Sequence, residues 1–195
     1  MNAALFILAA YLWGAIPSAY LVARYLKGID IRRYGSGNVG SSNLMEHVGR
    51  WTGLWLGVFD SLAKGTLPVV VANLIDQSLA VQAGAGLAAI AGHNWSPYIG
   101  FTGGRGLATA IGVLLGLLMW KEMLAGAVLI GFFGRRLTRD IAFWTLISLL
   151  TLPPLAYLFG QRSELVLMLV GIALLLILKR FTANWETPVR DGYSL

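Results

Sequence analysis

Two glycine-rich segments carry the side chains best suited to binding an anion. The later one, residues 101–106, reads F-T-G-G-R-G and stands immediately before a long apolar run. Glycines let backbone N–H groups form a concave nest, and a helix N-terminus adds about half a positive charge. Arg105 offers a fork of donors that phosphate oxygens accept. We expect this segment to bind an anion, the alternative being a turn in which Arg105 marks the cytoplasmic side of a membrane.

The earlier segment, residues 35–43, reads G-S-G-N-V-G-S-S-N. Its small side chains, flexible backbone and neutral hydrogen-bonding groups are suited to wrapping a polar ligand. The alternative is a flexible connector. Because both segments lie beside basic residues and are predicted on the same membrane face, they indicate one shared anionic site.

Three further residues have side chains that can take part in chemistry. Asp60 and Lys64 are spaced i, i+4 within an apolar helix, where an unpaired charge is costly, so they form either a functional pair or a buried structural ion pair. His93 is interpreted either as an oriented acid–base group or as a structural residue of the loop. With two histidines and no cysteine, the chain has too few ligands for a zinc cluster, and we expect no metal.

The composition is that of an integral membrane protein. Of the 195 residues, 57% are hydrophobic and only 12% are charged, about half the charged fraction of a soluble domain. The net charge of +6 comes from short basic clusters between apolar runs. Positive-inside topology explains these clusters better than nucleic-acid binding does, so no nucleic-acid partner is expected.

Hydropathy predicts an all-α protein with about seven transmembrane helices in a single membrane domain, residues 1–195. The first apolar run lacks the features of a cleaved signal peptide and is interpreted as a retained helix. Pro153-Pro154 are expected to kink or end the sixth span. The predicted spans are Asn2 to about Arg24, Thr52–Asn73, Leu79–Ala91, Leu107–Trp120, Met123–Gly134, Ile141–Phe159 and Leu165–Leu178.

The distribution of basic residues orients these spans. With the N-terminus outside and the C-terminus cytoplasmic, twelve basic residues of the connecting segments lie inside and two, Lys121 and Arg162, lie outside. This bias places both glycine-rich segments on the cytoplasmic face.

The order of motifs resembles the bacterial acylphosphate:glycerol-3-phosphate acyltransferase family (PlsY). The resemblance is carried by K-G-I-D-I-R, G-S-G-N-V-G-S-S-N, K-G, G-H-N-W-S-P and F-T-G-G-R-G-L-A-T-A, between the first span and about residue 112. It implies an enzyme of the bacterial inner membrane that transfers an acyl group from acyl phosphate to the 1-hydroxyl of glycerol 3-phosphate, giving lysophosphatidate and phosphate for phospholipid synthesis. Membrane lipid, the two substrates and a functional link to an enzyme that produces acyl phosphate are the partners implied, without a cofactor.

The resemblance also implies roles for individual residues. Ser36, His93 and Arg105 are assigned to catalysis. The residues assigned to substrate binding are Gly37, Asn38, Gly40, Asn43, Lys64, Gly103, Gly104, Gly106 and Asn184.

The chain departs from the family pattern at several of these positions. Arg105 stands where the family usually has lysine, and Glu46 stands where it has a phosphate-binding arginine. Asp60 is displaced by one residue from the D-x-x-K-G pattern, and Ala142 replaces a serine. Near the end, the family's H-R-x-N-I pattern is reduced to residues 180–184, in which only Asn184 offers a match. These departures leave two alternatives open: a family member with altered or lost catalysis that binds another phosphorylated substrate, and a small anion carrier.

Overall fold

The computed structural model describes residues 2–182, which are helical with no strand in that range beyond one isolated bridge between Ser96 and Thr102. Besides the α-helices, the described chain has two π-helical segments, Asp60–Thr66 and Val128–Leu137, and short 3₁₀ turns at Ile31–Arg33 and Pro97–Ile99. The α-helices are α1 Ala3–Gly14, α2 Ser18–Lys27, α3 Ser41–His47, α4 Arg50–Phe59, α5 Leu67–Leu74, α6 Leu79–Asn94, α7 Leu107–Gly116, α8 Trp120–Ala127, α9 Ile141–Leu158 and α10 Ser163–Thr182.

Four stretches of the described chain are long and apolar enough to cross a membrane: Ala3–Lys27, Arg50–Leu74, Ile141–Leu158 and Ser163–Thr182. They correspond to the first, second, sixth and seventh predicted spans. The helices at the other three positions include α6, of 16 residues, and α7, of 10 residues. The all-helical membrane class is therefore confirmed, whereas the count of seven spans and the orientation of the termini stay predictions.

The helix α9 runs through Pro153 and Pro154 to Leu158, so these residues do not end it. A proline costs one backbone hydrogen bond, and in a membrane helix neighbouring groups often compensate for that loss.

Close helix contacts depend on glycine. A Cβ added to Gly92 of α6 would overlap the carbonyl oxygen of Tyr11 in α1, and a Cβ added to Gly112 of α7 would overlap the carbonyl oxygen of Ser61. Small residues allow membrane helices to approach backbone to backbone. These contacts bring α1, α6, α7 and the segment Asp60–Thr66 together, so that the ends of α2, α6 and α10 meet the start of α7.

Candidate functional site

The two glycine-rich segments line one polar cavity of about 380 Å³, as the sequence predicts. Ser36, Gly37 and Asn38 come from the earlier segment, and Gly103 and Arg105 come from the later one. The cavity lies where α2 and α10 end and α7 begins, so one end of the helical bundle contributes all of its walls. Its other lining residues are Asp30, Arg32, Arg33, Gly100, Phe101, Thr102, Lys179 and Thr182.

The side chain of Asn43 fixes the conformation of the earlier segment through hydrogen bonds to its backbone. Its side chain is only 2% exposed, and its Nδ2 donates to the carbonyl oxygens of Ile31, Tyr34 and Asn38 at 3.0 to 3.1 Å. Its Oδ1 accepts a hydrogen bond from the backbone N–H of Ser36 at 3.3 Å. With both ends of its amide occupied in this way, Asn43 organises the loop rather than lining the cavity. Gly40, which directly precedes α3, lies beside Asn38 and is likewise outside the lining.

Gly104 and Gly106 shape the later segment. A Cβ on Gly104 would overlap the imidazole of His93, and the N–H of Gly104 donates to the His93 carbonyl oxygen at 3.0 Å. Gly106 has φ +75°, a left-handed conformation that favours glycine, and precedes α7. His93 is therefore packed beneath the loop, 7% exposed, and does not line the cavity.

Basic side chains dominate the lining of the polar cavity. Arg32 forms an ion pair with Asp30, in which Arg32 Nη2 lies 2.7 Å from Asp30 Oδ2. The hydrogen bonds from Arg32 lower the pKa of Asp30. Partial burial lowers the pKa of Arg105 from its ordinary value, and the positive charge of Arg180 lowers it further. A guanidinium remains charged in proteins, so Arg105 and Arg180 repel each other. An anion bound beside Arg105 would reduce this repulsion.

Lys179 is a lining residue that sequence reasoning interpreted only as a marker of topology. It is 5% exposed, and its Nζ lies 5.5 Å from the centre of the Trp95 ring. Its spacing from Leu176 and Thr182 places all three on one face of α10, which is the signal that would have found it. A lysine in the last turn of an apolar helix looks the same in sequence whether it points to water or to a cavity.

Asp60 and Lys64 form a buried ion pair that includes Ser18. The Lys64 Nζ lies 2.8 Å from Asp60 Oδ1 and donates to Ser18 Oγ at 2.7 Å, while Ser18 donates to Asp60 at 2.8 Å. The pair lies in the π-helical segment Asp60–Thr66. Residues i and i+4 are neighbours on a helix surface, so the one-residue displacement of Asp60 still allows the two charges to meet.

The other departures from the family pattern lie away from the described cavity. Glu46 is exposed on α3, and Ala142 is exposed at the start of α9. A basic cluster follows the fifth predicted span and is also exposed; it consists of Arg135, Arg136 and Arg139. None of these departures or basic residues lines the cavity. Asn184 lies outside the described residues.

The chain matches known proteins over nearly its whole length. The family model described as glycerol-3-phosphate acyltransferase covers residues 4–190. A glycerol-3-phosphate acyltransferase of Endomicrobium trichonymphae is 35% identical over 180 residues, 91% of this chain and 88% of that protein. Another, glycerol-3-phosphate acyltransferase 1 of Dehalococcoides mccartyi, is 39% identical over 190 residues, 95% and 90% of the two chains.

A solved structure of the same family has a similar fold. The crystal structure of PlsY (YgiH), an integral membrane glycerol 3-phosphate acyltransferase in its glycerol 3-phosphate form, superposes with a TM-score of 0.80 at 28% identity, covering 92% of this chain and 88% of the other. Sequence and fold therefore agree, and the chain belongs to the glycerol-3-phosphate acyltransferase family.

Proposed function

We propose that this protein transfers an acyl group from acyl phosphate to the 1-hydroxyl of glycerol 3-phosphate, releasing lysophosphatidate and phosphate. The names of its relatives support the acyltransferase activity and the acceptor. Crystal structures of PlsY in a glycerol 3-phosphate form and a lysophosphatidic acid form also support this acceptor and product. Acyl phosphate is proposed as the donor from the resemblance of the sequence motifs.

The observation that carries the proposal is the polar cavity, because four cationic side chains and two glycine-rich segments converge on it. Both proposed substrates carry phosphate. We assign Arg105, Arg32, Arg33 and Lys179 to holding these phosphates, with the backbone of Gly37 and Gly103 as further donors.

The reaction requires positioning more than covalent catalysis. Acyl phosphate is a mixed anhydride, so the glycerol hydroxyl attacks its carbonyl carbon directly. A carbon–oxygen ester bond forms, the bond from the carbonyl carbon to the phosphate oxygen breaks, and the hydroxyl proton ends on the released phosphate. Arg105 and the Ser36 hydroxyl are proposed to stabilise the charge that develops, while His93 positions the loop from beneath Gly104.

The remaining assignments belong to the same proposal. Asn38 contacts substrate at the cavity, whereas Gly40, Asn43, Gly104 and Gly106 act by holding the two segments in place. Lys64 lies outside the cavity lining and pairs with Asp60 and Ser18, so it is not assigned to direct substrate contact. Asn184 is assigned from the resemblance alone. The chain is proposed to be one membrane domain of seven spans in the bacterial inner membrane, with its N-terminus outside and this cavity on the cytoplasmic face.

The test is an assay of purified protein with palmitoyl phosphate and glycerol 3-phosphate, followed by phosphate release and lysophosphatidate. Both products should form only when both substrates are present. Arg105→Ala should lower kcat/KM by about a hundredfold, as removal of one stabilising donor does in other acyl-transfer sites. Arg105→Lys should retain more activity, and Arg136→Ala, which removes an exposed arginine outside the cavity, should leave the rate unchanged.

Three results would reject the proposal. Phosphate release without lysophosphatidate, or no turnover, would favour a family member with altered catalysis. Uptake of phosphate by proteoliposomes without acylation would favour the anion carrier.

A further inference from the structure

A second cavity, of about 390 Å³, lies among the sides of α7 to α10 and the segment Val128–Leu137. Its walls are almost entirely aliphatic, with Leu114, Leu149, Leu169 and Ile172 among the lining residues. We refer to it as the apolar cavity.

The apolar cavity adjoins the polar cavity along two helices. On α10, Leu169, Ile172 and Leu176 line the apolar cavity, and Lys179 and Thr182 continue the same face into the polar one. At the start of α7, Leu107 lines the apolar cavity only two residues after Arg105. A molecule with a phosphate head and an aliphatic tail would thus find matching surroundings for both parts.

The far end of the apolar cavity carries a buried carboxyl group. Glu122 lies in the first turn of α8 and is 0% exposed. Its Oε1 accepts a hydrogen bond from the Gln161 side-chain amide at 2.9 Å, and its Oε2 has no hydrogen-bond partner among the described residues. The helix α7 separates this carboxyl from Arg105 by its ten residues, roughly 15 Å.

We propose that the apolar cavity holds the acyl chain of the donor and that Glu122, supported by Gln161, sets the maximum chain length. The inference rests on the proposed acyl transfer. Burial of methylene groups against the aliphatic walls is favourable, whereas a methyl end that reaches Glu122 meets an unpaired carboxyl oxygen to which it can donate no hydrogen bond. Chains that stop short of this carboxyl are therefore favoured over chains that reach it.

Two substitutions should shift the preferred length in opposite directions. Glu122→Leu replaces the polar end with an aliphatic one and should favour longer chains. Gly126, one turn later on α8, also lines the cavity, and a Cβ there would lie 3.4 Å from Ser148 Oγ, an ordinary contact. Gly126→Leu should therefore place its side chain in the cavity and favour shorter chains.

The experiment compares binding and turnover across chain length. Binding is measured with a homologous series of alkyl phosphates, which cannot transfer an acyl group, and turnover with the matching acyl phosphates. Glu122→Leu should improve binding of the chain two carbons beyond the wild-type optimum by about tenfold, the gain from burying two more methylene groups. Glu122→Gln keeps a polar group and should keep the wild-type optimum.

A matched control is Glu164→Leu, which removes a half-buried carboxylate paired with Arg162 at the start of α10, outside the cavity. It should leave the optimum unchanged. If the optimum stays the same in both Glu122→Leu and Gly126→Leu, the inference is wrong, even if the wild type transfers acyl groups. If the optimum moves as expected for alkyl phosphates while no variant acylates glycerol 3-phosphate, the assignment of the cavity stands and the proposed function fails.

Discussion

The polar and apolar cavities have nearly the same volume, about 380 and 390 Å³, but they are built in opposite ways. The polar cavity is formed by loops and helix ends, where backbone donors and charged side chains can converge. The apolar cavity is formed by the sides of helices, which offer only aliphatic surface apart from a few groups such as Glu122 and Ser148. Removing one side chain should therefore impair the polar cavity, whereas adding or exchanging one should reshape the apolar cavity.

The largest effect on stability is expected at the buried ion pair of Asp60 and Lys64. Lys64→Met leaves the Asp60 carboxylate, 1% exposed, without its cation. Loss of one partner of a buried ion pair costs about 3 to 5 kcal/mol. The free energy of unfolding in detergent should fall by that amount.

The double variant Asp60→Val/Lys64→Met separates stability from activity. Removing both charges should restore most of the stability, because replacing a buried pair by apolar residues is often neutral. If activity returns together with stability, the pair is structural. If the protein is stable but inactive, the pair serves the reaction. A single Lys64→Met variant as stable as the wild type would contradict the burial argument itself.

A matched pair of glycine substitutions sharpens the contrast between the cavities. Gly104→Ala puts a methyl group where the His93 imidazole lies, and such overpacking costs about 1 to 3 kcal/mol. Acyl transfer should fall as the loop shifts. Gly131 lines the apolar cavity and has open space around the added Cβ, so Gly131→Ala should change stability by less than about 1 kcal/mol, in the stabilising direction.

Unfolding measurements and the acyl-transfer assay on both variants provide the check. Equal effects from the two substitutions would show that the polar loop is no more tightly constrained than the helical wall.

Sequence patterns identify the polar cavity well, because its signals are local. Glycine spacing and the adjacent Arg105 predict an anion site, and the basic clusters predict that both loops share one membrane face. The hydropathy pattern likewise predicts the helical membrane class.

The parts that sequence reasoning missed depend on tertiary packing. Lys179 enters the polar cavity only because α10 packs with that face inward. The apolar cavity is formed where α7 to α10 leave a space, and no motif marks that space. The continuation of α9 through Pro153 and Pro154 likewise differs from local propensity, which treats proline as a helix breaker.

The smallest effect is expected at Asp30, an acidic residue in the lining of the polar cavity. Its side chain is 18% exposed and its partner Arg32 is 34% exposed, so the pair contributes less than about 1 kcal/mol. Arg32 lowers the pKa of Asp30, so this contribution is present at neutral pH and is lost as the pH falls through the lowered value. Asp30→Asn should thus be slightly less stable than the wild type at neutral pH, and the difference should shrink on acidification.

The same substitution frees Arg32 from a carboxylate, so the affinity for glycerol 3-phosphate should rise if Arg32 faces substrate phosphate. Unfolding free energies at neutral pH and below pH 3.8, the ordinary pKa of an aspartate, together with the KM for glycerol 3-phosphate, measure both effects. A stability difference that grows on acidification would contradict the sign of the pKa shift. A raised KM would show that Asp30 instead holds Arg32 in the orientation that substrate needs, so that the carboxylate belongs to the binding site rather than opposing it.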